Sequence, residues 1–62
     1  MTGATLKAFR EQRMGYTQAQ LADALGISRK TLGTYEAEPD KPVPRVVVLA
    51  CAALALFAPP VV

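Results

Sequence analysis

Apolar residues recur at helical spacing in three short stretches, and the chain then turns apolar on every side. Leu6 and Phe9 stand three apart, with Lys7, Arg10 and Arg13 on or beside the opposite face. That spacing predicts a first helix over about Ala4–Met14. Thr2 or Gly3 is placed to cap it, and Gly15 to end it in a left-handed conformation. Leu21 and Leu25 lie one turn apart in a second helix, about Gln18–Leu25. Thr17 opens that helix: Thr17-Gln18-Ala19-Gln20 reads as a capping box, in which the Thr17 hydroxyl accepts the third amide proton while the Gln20 side chain reaches back. Gly26 closes it. Ser28 is a strong N-cap for a third helix, about Arg29–Ala37, that buries Leu32 and part of Tyr35. Three prolines and an aspartate within Glu38–Pro44 leave that segment a loop. A fourth helix follows, about Arg45–Phe57, which Pro59 and Pro60 cannot continue.

The fourth helix has no polar face. A helix apolar all round is buried all round. The run from Val46 to Ala58 falls short of the roughly 20 residues a membrane span needs, so no membrane partner is expected. A small domain covers one side of such a helix, and a two-fold copy is expected to cover the other. The expected homodimer interface is Val47, Val48, Cys51, Leu54, Ala55 and Phe57, with small Ala50, Ala52, Ala53 and Ala55 permitting close approach. Cys51 itself reads as a small core residue rather than a reactive thiol.

With 62 residues, the chain is expected to be one all-α domain over residues 1–62, marginal on its own. Cys51 has no second cysteine to pair with, and the chain has no histidine, so neither a disulfide nor a zinc site is expected. The same lack of histidine, with no nucleophile–base pair in view, argues against an enzyme. No cofactor and no small-molecule effector are expected. The start lacks the basic and apolar regions of a signal peptide, which fits a cytoplasmic protein. The net charge is +2 and the pI about 9.0. Lys7, Arg10, Arg13, Arg29 and Lys30 lie in the first half, while Glu36, Glu38 and Asp40 cluster. That balance suits a polyanionic partner.

Numbered from Gln18, Ala22 falls at position five of a two-helix unit, Gly26 at nine and Leu32 at fifteen. Ala22 allows the two helices to cross closely. Gly26 supplies the positive φ of a tight turn. Leu21, Leu25, Ile27 and Leu32 fill the wedge and seat it on the first helix. The unit reads as a helix-turn-helix, whose second helix enters the DNA major groove.

The stretch "TQAQLADALGISRKTLGTYE" resembles the Cro/CI-type (XRE-like) helix-turn-helix domains of phage repressors and bacterial regulators. Their pattern of Thr/Ser-Gln-x-x-Leu-Ala-x-x-Leu-Gly-hydrophobic-Ser-x-x-Thr-hydrophobic ends in an aromatic-Glu pair, matched here by Tyr35-Glu36. "PVPRVVVLACAAL" is similar to a subgroup in which a Pro-rich loop leads into an apolar helix. The resemblance covers roughly Leu6 to Leu56. It implies a compact four-helix, lambda-repressor-like fold and a sequence-specific, double-stranded-DNA-binding homodimer that represses a phage or bacterial promoter, with a near-palindromic operator.

The resemblance also implies roles. Base contacts fall to Arg29, Lys30, Gly33 and Thr34. Arginine matches the guanine O6/N7 edge bidentately, and a glycine lets the helix press close to the bases. Phosphate contacts fall to Gln18, Ser28, Thr31, Tyr35, Lys41 and Arg45. Lys7, Arg10 and Arg13 read as a solvated face. Two departures stand out. The third helix lacks the usual Glu-x-Gly ending, since Glu36-Ala37-Glu38-Pro39 replaces it. The family's helix-one arginine that pairs with the residue matching Glu36 is displaced: counting back from Gly15, Glu11 occupies its place. Arg10 or Arg13 takes over through a small rotation, or the bridge is absent. The rival function is an antitoxin or adaptor whose apolar last helix docks a different protein.

Overall fold

All four expected helices form, and the first changes pitch halfway along. The computed structural model describes residues 1–57, so the expected stop at Pro59 and Pro60 lies outside the described residues. Helix α1 is Gly3–Ala8 and runs directly into a π-helical segment, Phe9–Met14. Helices α2 (Gln18–Leu25), α3 (Arg29–Ala37) and α4 (Arg45–Phe57) have the expected bounds.

The caps explain the boundaries. Thr2 accepts the Thr5 amide proton at 3.4 Å. At α2, the Thr17 hydroxyl accepts the Gln20 N–H at 3.1 Å, and the Gln20 carbonyl accepts the Thr17 N–H at 2.9 Å. These are the two halves of a capping box. Ser28 accepts the Thr31 N–H at 3.0 Å. Gly15 and Gly26 take φ of 70° and 74°, the left-handed region that only glycine enters cheaply. The Gly26 turn returns its own N–H and that of Ile27 to the α2 carbonyls, which closes α2 and re-aims the chain into α3 within two residues.

The core gathers Leu6, Leu21, Ala22, Leu32, Val43, Val47 and Cys51, with Phe9, Tyr16, Leu25, Ile27 and Tyr35 packed around it. Leu6, Leu21 and Leu32 are fully buried, each stabilising the fold by about 1.5–3 kcal/mol through area removed from water. Helix α3 packs on both α1 and α2, and α4 on α2.

The assignment of Val47 and Cys51 to a dimer interface is corrected here. Both lie in this chain's own core, 4% and 1% exposed. Val48 and Leu54 also pack against that core, half-buried. Val47, Cys51 and Leu54 follow an i, i+4, i+7 stripe, one face of a 3.6-residue helix. The opposite stripe exposes Val46, Leu49, Leu56 and Phe57. Of the six expected interface residues, Phe57 alone belongs to that outer face. Ala55 is half-buried.

The loop after α3 is clasped to the N-terminus. Gly3 donates its N–H to the Lys41 carbonyl at 3.1 Å, Ala4 to Pro39 at 3.2 Å, and Val43 to Met1 at 2.9 Å. Thr2 and Pro42 form an isolated antiparallel bridge. Buried Gly3 makes this approach possible. A Cβ there would collide with the Tyr35 carbonyl oxygen and stand 2.5 Å from that of Glu38. The missing glycine stop of α3 is thus answered from outside the helix. Its last turn is pressed against α1, and Glu38 leaves the helical conformation at φ −115°, ψ 77°.

Candidate nucleic-acid interface

The α3 residues Arg29, Lys30, Gly33, Glu36 and Ala37 recur at three- and four-residue intervals, so they share one face. Arg29 and Lys30 are exposed at its N-terminal end, and neither belongs to an ion pair. Gly33 follows one turn on. A Cβ built there meets nothing within 4 Å, so its bare backbone is not required by internal packing. Gln18, the first residue of α2, joins Arg29, Lys30 and Gly33 in lining one open concavity.

Below this concavity lies a buried polar network. Arg10 Nε donates to Glu36 Oε2 at 2.8 Å and Nη2 to Oε1 at 2.9 Å. Arg10 Nη1 donates to the Tyr16 carbonyl at 3.0 Å. Gln18 Nε2 donates to Glu36 Oε1 at 3.2 Å. The side chains of Arg10 and Glu36 are only 10% and 4% exposed. Burial alone pushes the Glu36 carboxyl up. Hydrogen bonds from Arg10 and Gln18, with the charges of Arg10 and Lys7, outweigh it and hold Glu36 below its ordinary value. The hydrogen bond to Glu36 raises Arg10 against the opposing effect of burial.

The helix-one bridge therefore exists, and Arg10 makes it. The π-helical segment is the physical reason. The Gly15 N–H bonds to the Arg10 carbonyl, five residues back, where an α-helix would use Glu11, four back. The widened turn encloses one extra residue, and Arg10 moves to the place that an α-helical count assigns to Glu11. Glu11 is exposed and sits 3.8 Å from the Arg10 guanidinium.

The remaining expected contacts are dispersed. Ser28 and Thr31 hydroxyls bond each other at 2.8 Å, and Thr31 is half-buried. The Thr34 hydroxyl donates back to the Lys30 carbonyl at 3.0 Å. Tyr35 is half-buried against the core. Lys41 is exposed and pairs with Glu38 at 3.3 Å, and Arg45 is exposed at the start of α4. Neither Thr34, Lys41 nor Arg45 lines the concavity that holds Arg29 and Gln18. Sequence reasoning missed Gly3 altogether, because nothing local marks a glycine whose constraint comes from carbonyls more than thirty residues away. The search on Arg10 had a signal: it is an arginine one residue out of register with an acid on α3.

Two helices joined by a Gly26 turn, the second presenting an exposed basic face, define a helix-turn-helix protein. Residues 6–56 match the family model described as Helix-turn-helix. The chain belongs to this XRE-type, Cro/CI-like family of DNA-binding transcription regulators, which are not enzymes. No curated protein and no solved structure matches the chain. No helix among the described residues is long and apolar enough to cross a membrane.

Proposed function

We propose that the protein binds a near-palindromic double-stranded operator as a homodimer and represses a phage or bacterial promoter. The observation that carries this reading is the bare apolar face of α4. Val46, Leu49, Leu56 and Phe57 are 72%, 58%, 76% and 84% exposed, and a contiguous apolar face of this kind marks an interaction site. A second copy related by a two-fold axis covers it with the same residues and so closes the assembly. Two α3 helices then address major-groove faces about 34–36 Å apart.

In this reading Arg29 and Lys30 read base edges, with guanine the natural target of Arg29. Gly33 lets α3 approach closely, and the Thr34 methyl meets a thymine methyl. Gln18 contacts phosphate with the amide N–H that Glu36 leaves unused. Ser28, Thr31, Tyr35, Lys41 and Arg45 are the flanking backbone contacts. Repression follows from occupancy, by excluding polymerase from the promoter.

Random-site selection on the purified protein, run beside sedimentation without DNA, tests the whole reading. A palindromic consensus with half-sites one turn apart, and a dimer at micromolar concentration, are expected. A monomer that binds a single half-site as tightly as a full site overturns it and assigns the α4 face to a different protein, as in an antitoxin or adaptor.

A further inference from the structure

Beyond the base-reading end of α3, its exposed face continues into a second open concavity. This one shares Gln18 and Gly33 with the first and adds Lys7, Glu36 and Ala37. The two join over Gly33, where no side chain divides them and nothing stands within 4 Å of a Cβ position. The result is one groove along α3. Arg29 and Lys30 mark one end. Lys7, contributed by α1, stands at the other. At 1.5 Å per residue, Arg29 to Ala37 spans about 12 Å of helix axis, the axial length of three to four base pairs at 3.4 Å each.

The charges along this groove are unequal in what they have left to offer. Glu36 at its floor is neutralised by Arg10 through two hydrogen bonds, so the floor does not repel an anion. Lys7 is exposed and belongs to none of the ion pairs among the described residues. Its ammonium reaches Glu36 only as the smallest of the influences on that carboxyl. Arg13, on the same helical run, lines neither concavity.

We infer that Lys7 is a DNA-phosphate contact, extending the interface from the helix-turn-helix onto the first helix. This revises the reading of Lys7 as a solvated charge. A nucleic-acid strand that passes Gln18 and runs along the open floor at Gly33 meets Lys7 next. A flexible ammonium there neutralises a phosphate without reading a base. The inference rests on the DNA-binding reading of the same groove.

The test is the salt dependence of binding to a mixed-sequence duplex and to the consensus obtained by site selection, for the wild type, Lys7→Gln and Arg13→Gln. A protein that neutralises one phosphate fewer per protomer loses about 0.9 from the slope of log affinity against log salt. Lys7→Gln is expected to show that loss on both duplexes, with the base preference intact and the melting temperature within a few degrees of wild type. Arg13→Gln is expected to keep the wild-type slope. A Lys7→Gln slope equal to wild type overturns the assignment while leaving DNA binding by α3 in place. A drop in melting temperature with no change in slope also overturns it, making Lys7 a support for Glu36. A wild type that binds neither duplex overturns the DNA reading itself.

Discussion

Arg10 and Glu36, 26 residues apart in the chain, form a bidentate ion pair with Nε–Oε2 at 2.8 Å and Nη2–Oε1 at 2.9 Å. The pair ties the π-helical segment to the last turn of α3. Glu36 also holds Gln18 at 3.2 Å, so one carboxylate links the first helix, the start of α2 and the recognition helix. Breaking a buried pair by removing one partner strands the other charge.

Arg10→Met is therefore expected to destabilise the fold by about 3–5 kcal/mol. A domain of this length has a total stability of about 3–9 kcal/mol, so the variant is largely unfolded. The double variant Arg10→Met/Glu36→Leu leaves no stranded charge and is expected to be more stable than Arg10→Met. Urea unfolding of the three proteins checks both statements, and a loss under about 1 kcal/mol for Arg10→Met would contradict the stranding argument.

The same pair sets an acid limit. Glu36 is held below its ordinary value of 4.5, so the unfolded chain binds its proton first as pH falls. Stability from Glu36 is complete above about pH 4.5 and is lost as pH drops through its lower folded value. Thermal melting between pH 7 and 3 is expected to show this fall in the wild type. Glu36→Gln, which cannot titrate, is expected to be less stable at neutral pH and to fall less on acidification.

Two glycines predict opposite signs. Gly3→Ala drives a methyl into the Tyr35 and Glu38 carbonyls and is expected to cost at least about 1–3 kcal/mol, as overpacking does. Gly33→Ala meets open space, so helix propensity alone acts and favours alanine by up to about 1 kcal/mol. Operator affinity should nevertheless fall, because the added methyl stands in the groove. Melting temperature and affinity measured side by side decide it, and unchanged affinity would remove Gly33 from the interface.

Readout and grip separate in binding assays. Arg29→Ala and Lys30→Ala are expected to lose about 1–3 kcal/mol each on the operator and to relax preference at one position per half-site. Gln18→Ala is expected to weaken all duplexes equally, with the consensus and the salt slope unchanged, since glutamine carries no charge. Equal weakening by Arg29→Ala on operator and random DNA would demote Arg29 to a phosphate contact.

The two sides of α4 separate in sedimentation. Leu56→Lys, on the exposed stripe, is expected to give a folded monomer with weakened full-site binding. Val47→Lys, in the core, is expected to unfold the domain, because a buried unpaired charge costs several kcal/mol. A folded dimer of Leu56→Lys would place the contact elsewhere.

Helix boundaries, caps, the Gly26 turn and the exposed basic start of α3 were legible in the sequence, because each is set within about four residues by hydrogen bonds and backbone preference. Thr17, Ser28 and Gly26 carry that information locally. The family pattern is dense in the same stretch for the same reason. Three things were decided only by the tertiary structure. Helix α4 is apolar at nearly every position, so no periodicity distinguishes the Val47–Cys51 side from the Val46–Leu56 side. Packing against α2 made the choice. Gly3 is constrained by carbonyls of the α3 terminus, contacts invisible to any local window. Arg10 finds Glu36 because one turn opens to a π-helical register, and a one-residue shift of that kind has no local sequence mark. It is settled by the free energy of satisfying a buried carboxylate, which exists only once α1 and α3 have come together.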